Sequence, residues 1–466
     1  MKMNGAPQPS EPRPARVGMI NLGCAKNLVD AEIMLGSVVS RGMEVTPDAA
    51  EADVLVINTC AFIDAAKEES IDAILQAHDQ RLAVRPDQKL IVSGCMSQRY
   101  AEELRQQIPE VDRFIGLDQV KQLAAIVEDV LQQHRGASAS ASDLAFHHRR
   151  PAYIPDYDTP RFRLTPNHCA YLKIAEGCNH PCSFCVIPQM RGKHRSRSPQ
   201  SVISEVRALV DDGVREINLI SQDTTYYGMD LWSEKAGPRQ PVDSSRGPTL
   251  TSLLQAIDEV PGDFWVRLLY THPAHWSDEL ISTIGQCRKV ARYVDMPLQH
   301  IHPNMLDRMR RETSRAHIEE LINKLRAGIP GVALRTTFIV GFPGETEGEF
   351  ESLLQFIDSV RFDRLGVFKY SREEGSRAAN MPNQIDARTK NARYRRAMAL
   401  QQRIAFDLAQ ERIGSELKLL VDQPFIARSE FDAPDVDTRV ILHEAAPVGE
   451  FITRRISGSR GYDLLA

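Results

Sequence analysis

The chain reads as an α/β protein in three blocks: an amino-terminal parallel α/β domain, a six-stranded partial (β/α) barrel and a small carboxyl-terminal β-barrel. Three observations predict this. Near the amino terminus, the Val- and Ile-rich runs Val17–Gly23, Asp53–Thr59 and Leu90–Gly94 are each followed by a helical pattern. Six further apolar runs then alternate with helical patterns. After a long charged helix the last fifty or so residues carry only short runs of β character.

Each block follows from local chemistry. In the first, strands alternate with helices over Asn27–Val39, Ala61–His78 and Ser97–Ile108. Short right-handed crossovers of this kind lay successive strands side by side in a parallel sheet. In the second, the strand candidates are Ala170–Ala175, Glu216–Ser221, Trp265–Tyr270, Tyr293–Met296, Leu334–Val340 and Leu365–Tyr370. The helical patterns between them include Pro199–Asp212, Leu250–Glu259, Asp278–Cys287, Ile318–Ala327 and Glu347–Val360. Six such units make a parallel barrel short of the eight that close a complete one. The charged helix, roughly Asp386–Ile413, stops at Gly414. Beyond it, Leu417–Val421, Phe425–Ala427, Val440–Leu442 and Glu450–Ser457 suggest a small barrel.

Composition marks the boundaries. Residues 1–15 are Pro-rich without an apolar segment and read as a disordered tail. The first domain spans 16–134, and a linker containing Gly136–Ser142 covers 135–163. The barrel domain spans 164–402 and the last domain 403–466. Met229–Pro248 is polar and reads as a surface insertion. No run approaches the roughly 20 apolar residues of a membrane helix, so no membrane partner is expected. Eight cysteines without a signal peptide point to a reducing, cytoplasmic setting. A net charge of −5 gives no general nucleic-acid signal.

The cysteines carry the chemistry. Cys178, Cys182 and Cys185 form a C-x₃-C-x₂-C run just after a strand. Three thiolates hold three corners of a four-iron cluster and leave the fourth iron open for chemistry. Structural zinc wants four ligands, and a disulfide role suits neither the short spacing nor the odd number. Cys24, Cys60 and Cys95 each end one of the first three strands, on one edge of the sheet. Any one of them alone reads as a buried core cysteine, but one placement repeated three times points to a second three-cysteine cluster. Cys169 and Cys287 read as packing residues.

The C-x₃-C-x₂-C run, with Phe184 before its last cysteine, resembles the signature of radical S-adenosylmethionine (SAM) enzymes. The whole layout resembles their methylthiotransferase family, with its three-cysteine first domain, partial barrel and TRAM β-barrel. Gly23-Cys24-Ala-Lys-Asn27-Leu-Val-Asp30, Ile220-Ser-Gln-Asp-Thr224, Pro297-Leu-Gln-His300 and Asp432-Ala-Pro-Asp435 resemble the branch that modifies an aspartate of ribosomal protein S-twelve. Ala25 and Ala31 depart from that branch, which usually has Pro and Ser there. The resemblance implies two four-iron clusters and SAM as cofactors, with SAM bound at the Cys178/Cys182/Cys185 cluster and Cys24, Cys60 and Cys95 holding an auxiliary one. It also implies a reducing electron donor, and a methylthio group added to the aspartate β-carbon with both clusters facing one cavity. Two rivals are a tRNA adenosine methylthiotransferase and a non-catalytic iron–sulfur electron carrier.

Further candidates sit at strand ends. Gln222 and Asp223 end the second barrel strand, and Asp295 the fourth, with Gln299 shortly after it; all are candidates for SAM contact. Gly341, Gly344 and Glu345 follow the fifth strand. Thr346 with Glu349 fits a capping box there, while the glycines also allow backbone to approach SAM. Arg191, Lys193, Arg195 and Arg197 read as a solvated loop in which one arginine could meet a carboxylate. His272, His275, His300 and His302 read as loop or core histidines. Residues 414–466 hold six Lys/Arg against nine Asp/Glu, a net of −3, the wrong sign for tracking a phosphate backbone. Stable tRNA binding is therefore not expected, and Asp432, Asp435 and Asp437 are candidates for docking a basic substrate protein.

Overall fold

Strands buried on both faces must be almost wholly apolar, and the Val- and Ile-rich runs meet that demand. The computed structural model describes residues 13–133 and 150–466. The tail up to residue 12 and the Gly136–Ser142 linker lie outside them. The described residues divide into two compact units, one of 13–61, 65–133 and 159–162, the other of 62–64, 150–158 and 163–466. No described helix is long and apolar enough to cross a membrane.

The first unit is a parallel sheet of β1 (Arg16–Asn21), β2 (Glu44–Thr46), β3 (Val54–Thr59), β4 (Lys89–Gly94) and β5 (Arg113–Phe114), in the order β2-β1-β3-β4-β5. Around it lie α1 (Ala25–Ser40), α2 (Asp64–Val84), α3 (Cys95–Gln107) and α4 (Leu123–Gln133). The short edge strands β2 and β5 carry too few residues to be read from sequence, whereas α4, amphipathic over Leu123–Gln133, was missed. Asn21, Asn58 and Ser93 stand abreast on β1, β3 and β4. Part of the expected linker joins this unit: Phe162 N–H donates to Glu32 O at 2.9 Å, and Arg161 Nε to the Glu32 carboxylate at 2.7 Å.

The second unit opens with β6 (Cys169–Lys173), followed by a short hairpin of β7 (Ala175–Glu176) and β8 (Arg195–Ser196) around α5 (Ile187–Met190). Five more strands complete the partial barrel: β9 (Glu216–Ile220), β10 (Trp265–Leu268), β11 (Val290–Asp295), β12 (Ala333–Val340) and β13 (Arg364–Lys369). Counted with β6, these six strands are parallel and adjacent in chain order. Between and after them run α6 (Pro199–Asp211), α7 (Leu250–Asp258), α8 (Asp278–Gln286), α9 (Pro303–Arg308), α10 (Arg315–Gly328), α11 (Glu347–Val360) and α12 (Ala387–Glu411). Met229–Pro248 is not merely a surface segment, because Met229, Trp232 and Ala236 bury against Tyr226 in a small core of their own.

The last domain is a mixed sheet of β14 (Glu416–Gln423), β15 (Ile426–Ser429), β16 (Val440–Ile441), β17 (Phe451–Arg455), β18 (Gly458–Arg460) and β19 (Asp463–Leu465). Its loop 430–438 lies against barrel strands β10, β11, β12 and β13. Arg364 pairs with Asp432, which also accepts from Thr438 at 2.8 Å. Tyr293 Oη donates to Asp437 Oδ2 at 2.6 Å, and Arg267 Nη1 to Glu430 O at 2.6 Å. Beside the loop, Glu216 lies between Arg267 at 2.8 Å and Arg428 at 2.6 Å.

This corrects the docking expectation. Asp432 is 2% exposed and serves Arg364, while the Asp437 side chain is buried against Tyr293 and Arg335, so neither offers charge to a partner. Only Asp435 of the three is exposed, and it accepts from Tyr171 Oη at 3.2 Å. The acidic run was legible; its ion partners, far away in sequence, were not.

Burial opposes ionisation of Asp432, but Arg364, Ser429 and Thr438 outweigh it and hold the carboxyl below its ordinary 3.8. A depressed folded pKa gives stability that is full above about pH 4 and lost as pH falls through the folded value. Asp432→Ala should destabilise the second unit by about 3 kcal/mol at pH 7, since Arg364 stays buried without its partner. That penalty should shrink below about pH 4, as read by urea unfolding of the full chain. A penalty independent of pH would show that the ion pair is not its source.

Candidate metal centres

At the carboxyl end of a parallel strand the chain leaves the ladder, and its last peptide groups need other partners. In the first unit, side chains supply them. Asn27 Nδ2 donates to Leu22 O at 3.1 Å and Thr59 O at 2.9 Å. Asn58 Nδ2 donates to Asn21 Oδ1 at 2.7 Å and Asn27 O at 2.8 Å, and Ser93 Oγ to Asn58 Oδ1 at 3.1 Å. This polar row, overlooked at the sequence level, ties together the three strand ends that carry the cysteines. Its signal was an Asn inside the apolar run Val54–Thr59.

Above the row, Cys24 caps α1 and Cys95 opens α3. A helix amino terminus favours the thiolate. Cys95 Sγ lies 3.6 Å from Asn27 Oδ1, and a Cβ placed on Gly23 would stand 3.2 Å from Cys60 Sγ, so the three cysteines gather around the Gly23–Asn27 turn. Cys60 and Cys95 are buried and Cys24 is exposed. Three thiols with one side open to solvent suit the entry of a cluster.

In the second unit, the loop after β7 carries Cys178, Cys182 and Cys185. Its ends are fixed by backbone: Cys178 N–H donates to Gly192 O at 3.2 Å, and Ser183 N–H to Met309 O at 3.0 Å. Phe184 packs on a core of Met305, Met309, Phe342 and Tyr370. Arg311 Nη1 reaches Cys182 Sγ at 3.6 Å. Burial pushes the Cys185 thiol up to about 12 and Cys178 well above its ordinary value, with neighbouring cysteines adding to both. Such thiols ionise only with a cation to compensate them, as a metal cluster would. The donor set therefore fits an iron–sulfur group.

The other expected site residues are mostly engaged. Asp223 Oδ1 accepts from Thr225 N–H at 3.0 Å, and its Oδ2 from His180 at 2.8 Å and His275 at 2.9 Å. Asp295 accepts from Arg335 at 2.9 Å and from Tyr270 N–H at 2.9 Å. Each oxygen of both carboxylates already has a partner within the fold, so both side chains brace the strand ends. Glu345 braces its own loop through Arg393 at 2.7 Å, His300 at 3.2 Å and Gly341 N–H. Gly341 packs against Lys390 and Gly344 against Arg308. Gln222 Nε2 donates to Glu176 at 2.6 Å, while its Oε1 has no hydrogen-bond partner. Arg191 and Arg197 are buried rather than solvated, and Arg191 pairs with Glu176 at 3.1 Å. Tyr270 and Gln299, at two strand ends, hold φ of 62° and 72° without being glycine, a strain that clusters at functional sites.

Residues 16–116 match the uncharacterized protein family UPF0004, 172–357 the radical SAM superfamily and 413–466 the TRAM domain. A protein of Opitutus terrae named ribosomal protein uS12 methylthiotransferase RimO is 57% identical, covering 97% of this chain and 96% of that one. A second of that name, from Akkermansia muciniphila, is 52% identical over 97% of this chain and all of its own length. This chain belongs to the RimO family. As a RimO-family chain it is a radical SAM methylthiotransferase, and the branch read from its local motifs stands. The radical SAM methyltransferase TsrM of Kitasatospora setae, solved with cobalamin and a 4Fe-4S cluster, superposes with a TM-score of 0.53. It is 14% identical and covers 77% of this chain and 75% of that one, a likeness of fold.

The backbone at Gly94 gives a sharp test of how Cys95 is placed in this RimO-family chain. With φ 93° and ψ −162° it lies where only glycine is at ease, and an added Cβ would stand 2.3 Å from Thr59 O. Gly42 has a similar φ of 76° with nothing within 4 Å. Gly42→Ala should cost about 1 kcal/mol and Gly94→Ala about 3 kcal/mol or more, read by urea unfolding of metal-free protein. Equal costs would mean that the Thr59 contact yields freely.

Proposed function

We propose that this chain adds a methylthio group to the β-carbon of an aspartate of ribosomal protein uS12. Cys178, Cys182 and Cys185 hold the SAM-binding 4Fe-4S cluster, and Cys24, Cys60 and Cys95 hold the auxiliary one. The observation that carries the reading is the C-x₃-C-x₂-C loop at the carboxyl edge of a six-stranded partial barrel, in a chain 57% identical to a protein of that name. When bound, the cluster and SAM supply the one-electron chemistry that activates an unreactive C–H bond.

The protein's own residues do the placing. Backbone bonds to Gly192 and Met309 set the loop, Phe184 anchors it in the core, and Arg311 places a cation beside Cys182. Gly341 and Gly344 fold the loop after β12 tightly enough for backbone to approach SAM, while Glu345 holds that loop closed. Gln222, with its unpartnered Oε1, is the strand-end side chain still able to accept from SAM. A one-electron donor partner is implied by the chemistry, and the setting is cytoplasmic. Against a tRNA substrate stands the acidic balance of the last domain, whose Arg428 is moreover buried between Glu216 and Asp422.

Anaerobically reconstituted protein should bind about eight irons. Replacing Cys178, Cys182 and Cys185 by Ala should halve the iron and abolish SAM cleavage. Replacing Cys24, Cys60 and Cys95 should halve the iron yet leave SAM cleavage measurable. Full iron in the second variant rules out the auxiliary cluster. Mass spectrometry of uS12 from cells lacking the protein should show loss of the methylthio mass, whereas a loss seen only in tRNA would give the function to RNA.

A further inference from the structure

His180 lies inside the cluster loop, between Cys178 and Cys182, and is buried. Both of its ring nitrogens are engaged. Nδ1 meets Glu312 Oε2 at 2.6 Å, and Nε2 meets Asp223 Oδ2 at 2.8 Å. His275 Nδ1 shares that Asp223 oxygen at 2.9 Å, and the His272 ring stacks on His180 with centroids 3.7 Å apart and 14° between planes. Glu312 also accepts from Arg239 of the 229–248 insertion at 3.0 Å. Residues following β9, β10 and α9 thus grip one side chain in the middle of the loop.

We propose that His180, held between Asp223 and Glu312, is a positioning residue that sets the shape of the cysteine loop before iron arrives. The inference rests on the reading of Cys178, Cys182 and Cys185 as cluster ligands. Backbone bonds fix the ends of the loop, at Cys178 and at Ser183; the span between carries Cys182, whose thiol must meet the same cluster as the other two. A side chain bonded at both ring nitrogens, to carboxylates on two different segments, has no remaining freedom to rotate. It therefore restricts the backbone on either side of it. Buried hydrogen bonds to charged groups are among the stronger ones in proteins. Asp223 is itself immobilised through Oδ1, which caps the turn at Thr225 and Tyr226.

The same side chains suggest a rival. Ligand atoms of His180, Asp223, His272 and His275 all lie within 4.8 Å of one another, close enough to consider a metal ion. Ring geometry opposes it. Lone pairs of two nearly parallel imidazoles stacked face to face do not converge on one ion at about 2.1 Å. His272 Nδ1 is, in addition, already accepting from Ala274 N–H at 3.2 Å, which leaves the ring only its unpartnered Nε2 to offer.

The test starts with metal-free, full-length protein, where the clamp is separable from the cluster. In hydrogen exchange, His180→Ala should speed exchange of amides in residues 178–185 about tenfold, with β9–β12 unchanged. Glu312→Gln should give a smaller rise in the same segment, and it carries the test if His180→Ala does not fold. In reconstituted protein, an iron chelator should strip the His180→Ala cluster about tenfold faster. The reduced cluster's electron paramagnetic resonance signal should broaden. His180→Gln, able to keep one of the two bonds, should fall between. Unchanged exchange in both His180→Ala and Glu312→Gln overturns the clamp. So does a stoichiometric zinc or other divalent ion in wild-type protein that Asp223→Asn removes, since the four residues would then be a metal centre. Failure of wild-type protein to bind iron at all would instead sink the ligand assignment, leaving the exchange result to judge the clamp alone.

Discussion

A parallel strand must hand its chain to a crossover helix, and the peptide groups at that handover have no ladder partner. In this protein that constraint is met by side chains rather than left to solvent. Asn27 and Asn58 do so in the first unit, and Asp223 and Asp295 in the second, each donating to or accepting from backbone beyond its own strand. In the first unit the cysteines ride on the turns so stabilised. A thiolate ligand needs its turn held in place because a cluster has fixed corners, and a loop that wandered would have to be ordered again at each loading. The polar residues that look like spare ligands from sequence are the ones that anchor those turns.

The barrel's opposite end shows the same use of charge. Strands β9 to β13 carry Glu216, Arg267, Tyr293, Arg335 and Arg364, and loop 430–438 answers several of them. Leaving Arg364 buried without Asp432, or Glu216 without Arg428, would be severely destabilising, so the last domain is bound to the barrel electrostatically as well as by packing. A domain fixed in this way is not a free arm. Its accessible surface is what remains after the floor of the barrel is closed.

What was legible in the sequence follows from range. The six barrel strands and the helices between them came out within a few residues of their bounds, because periodicity is a local signal. The cysteines came out because their spacing and their repeated place after a strand are local too. Asp432 was misplaced because its partner Arg364 lies 68 residues away, and the pairing of Asp295 with Arg335, 40 residues off, was equally out of reach. An acidic stretch with distant partners looks like surface until the chain is folded. Trp232 shows the reverse case: in a polar insertion one large apolar residue was enough to found a small core with Tyr226 and Met229.

Long-range pairing of charged side chains bears on how the centre is built. Asp223, Asp295, Glu345 and Arg191, charged residues near strand ends, all pair with another part of the protein. Radical chemistry gives a reason. A site that must confine a species able to attack C–H bonds gains little from acids and bases and much from rigidity and dryness. Buried ion pairs contribute little net stability, but they allow few alternative packings, and a pair broken by a small displacement leaves a destabilising unpaired charge. Beside Cys178, Cys182 and Cys185 the pairs His180–Asp223 and Glu176–Arg191 make displacement costly. Charge here works as a constraint on shape.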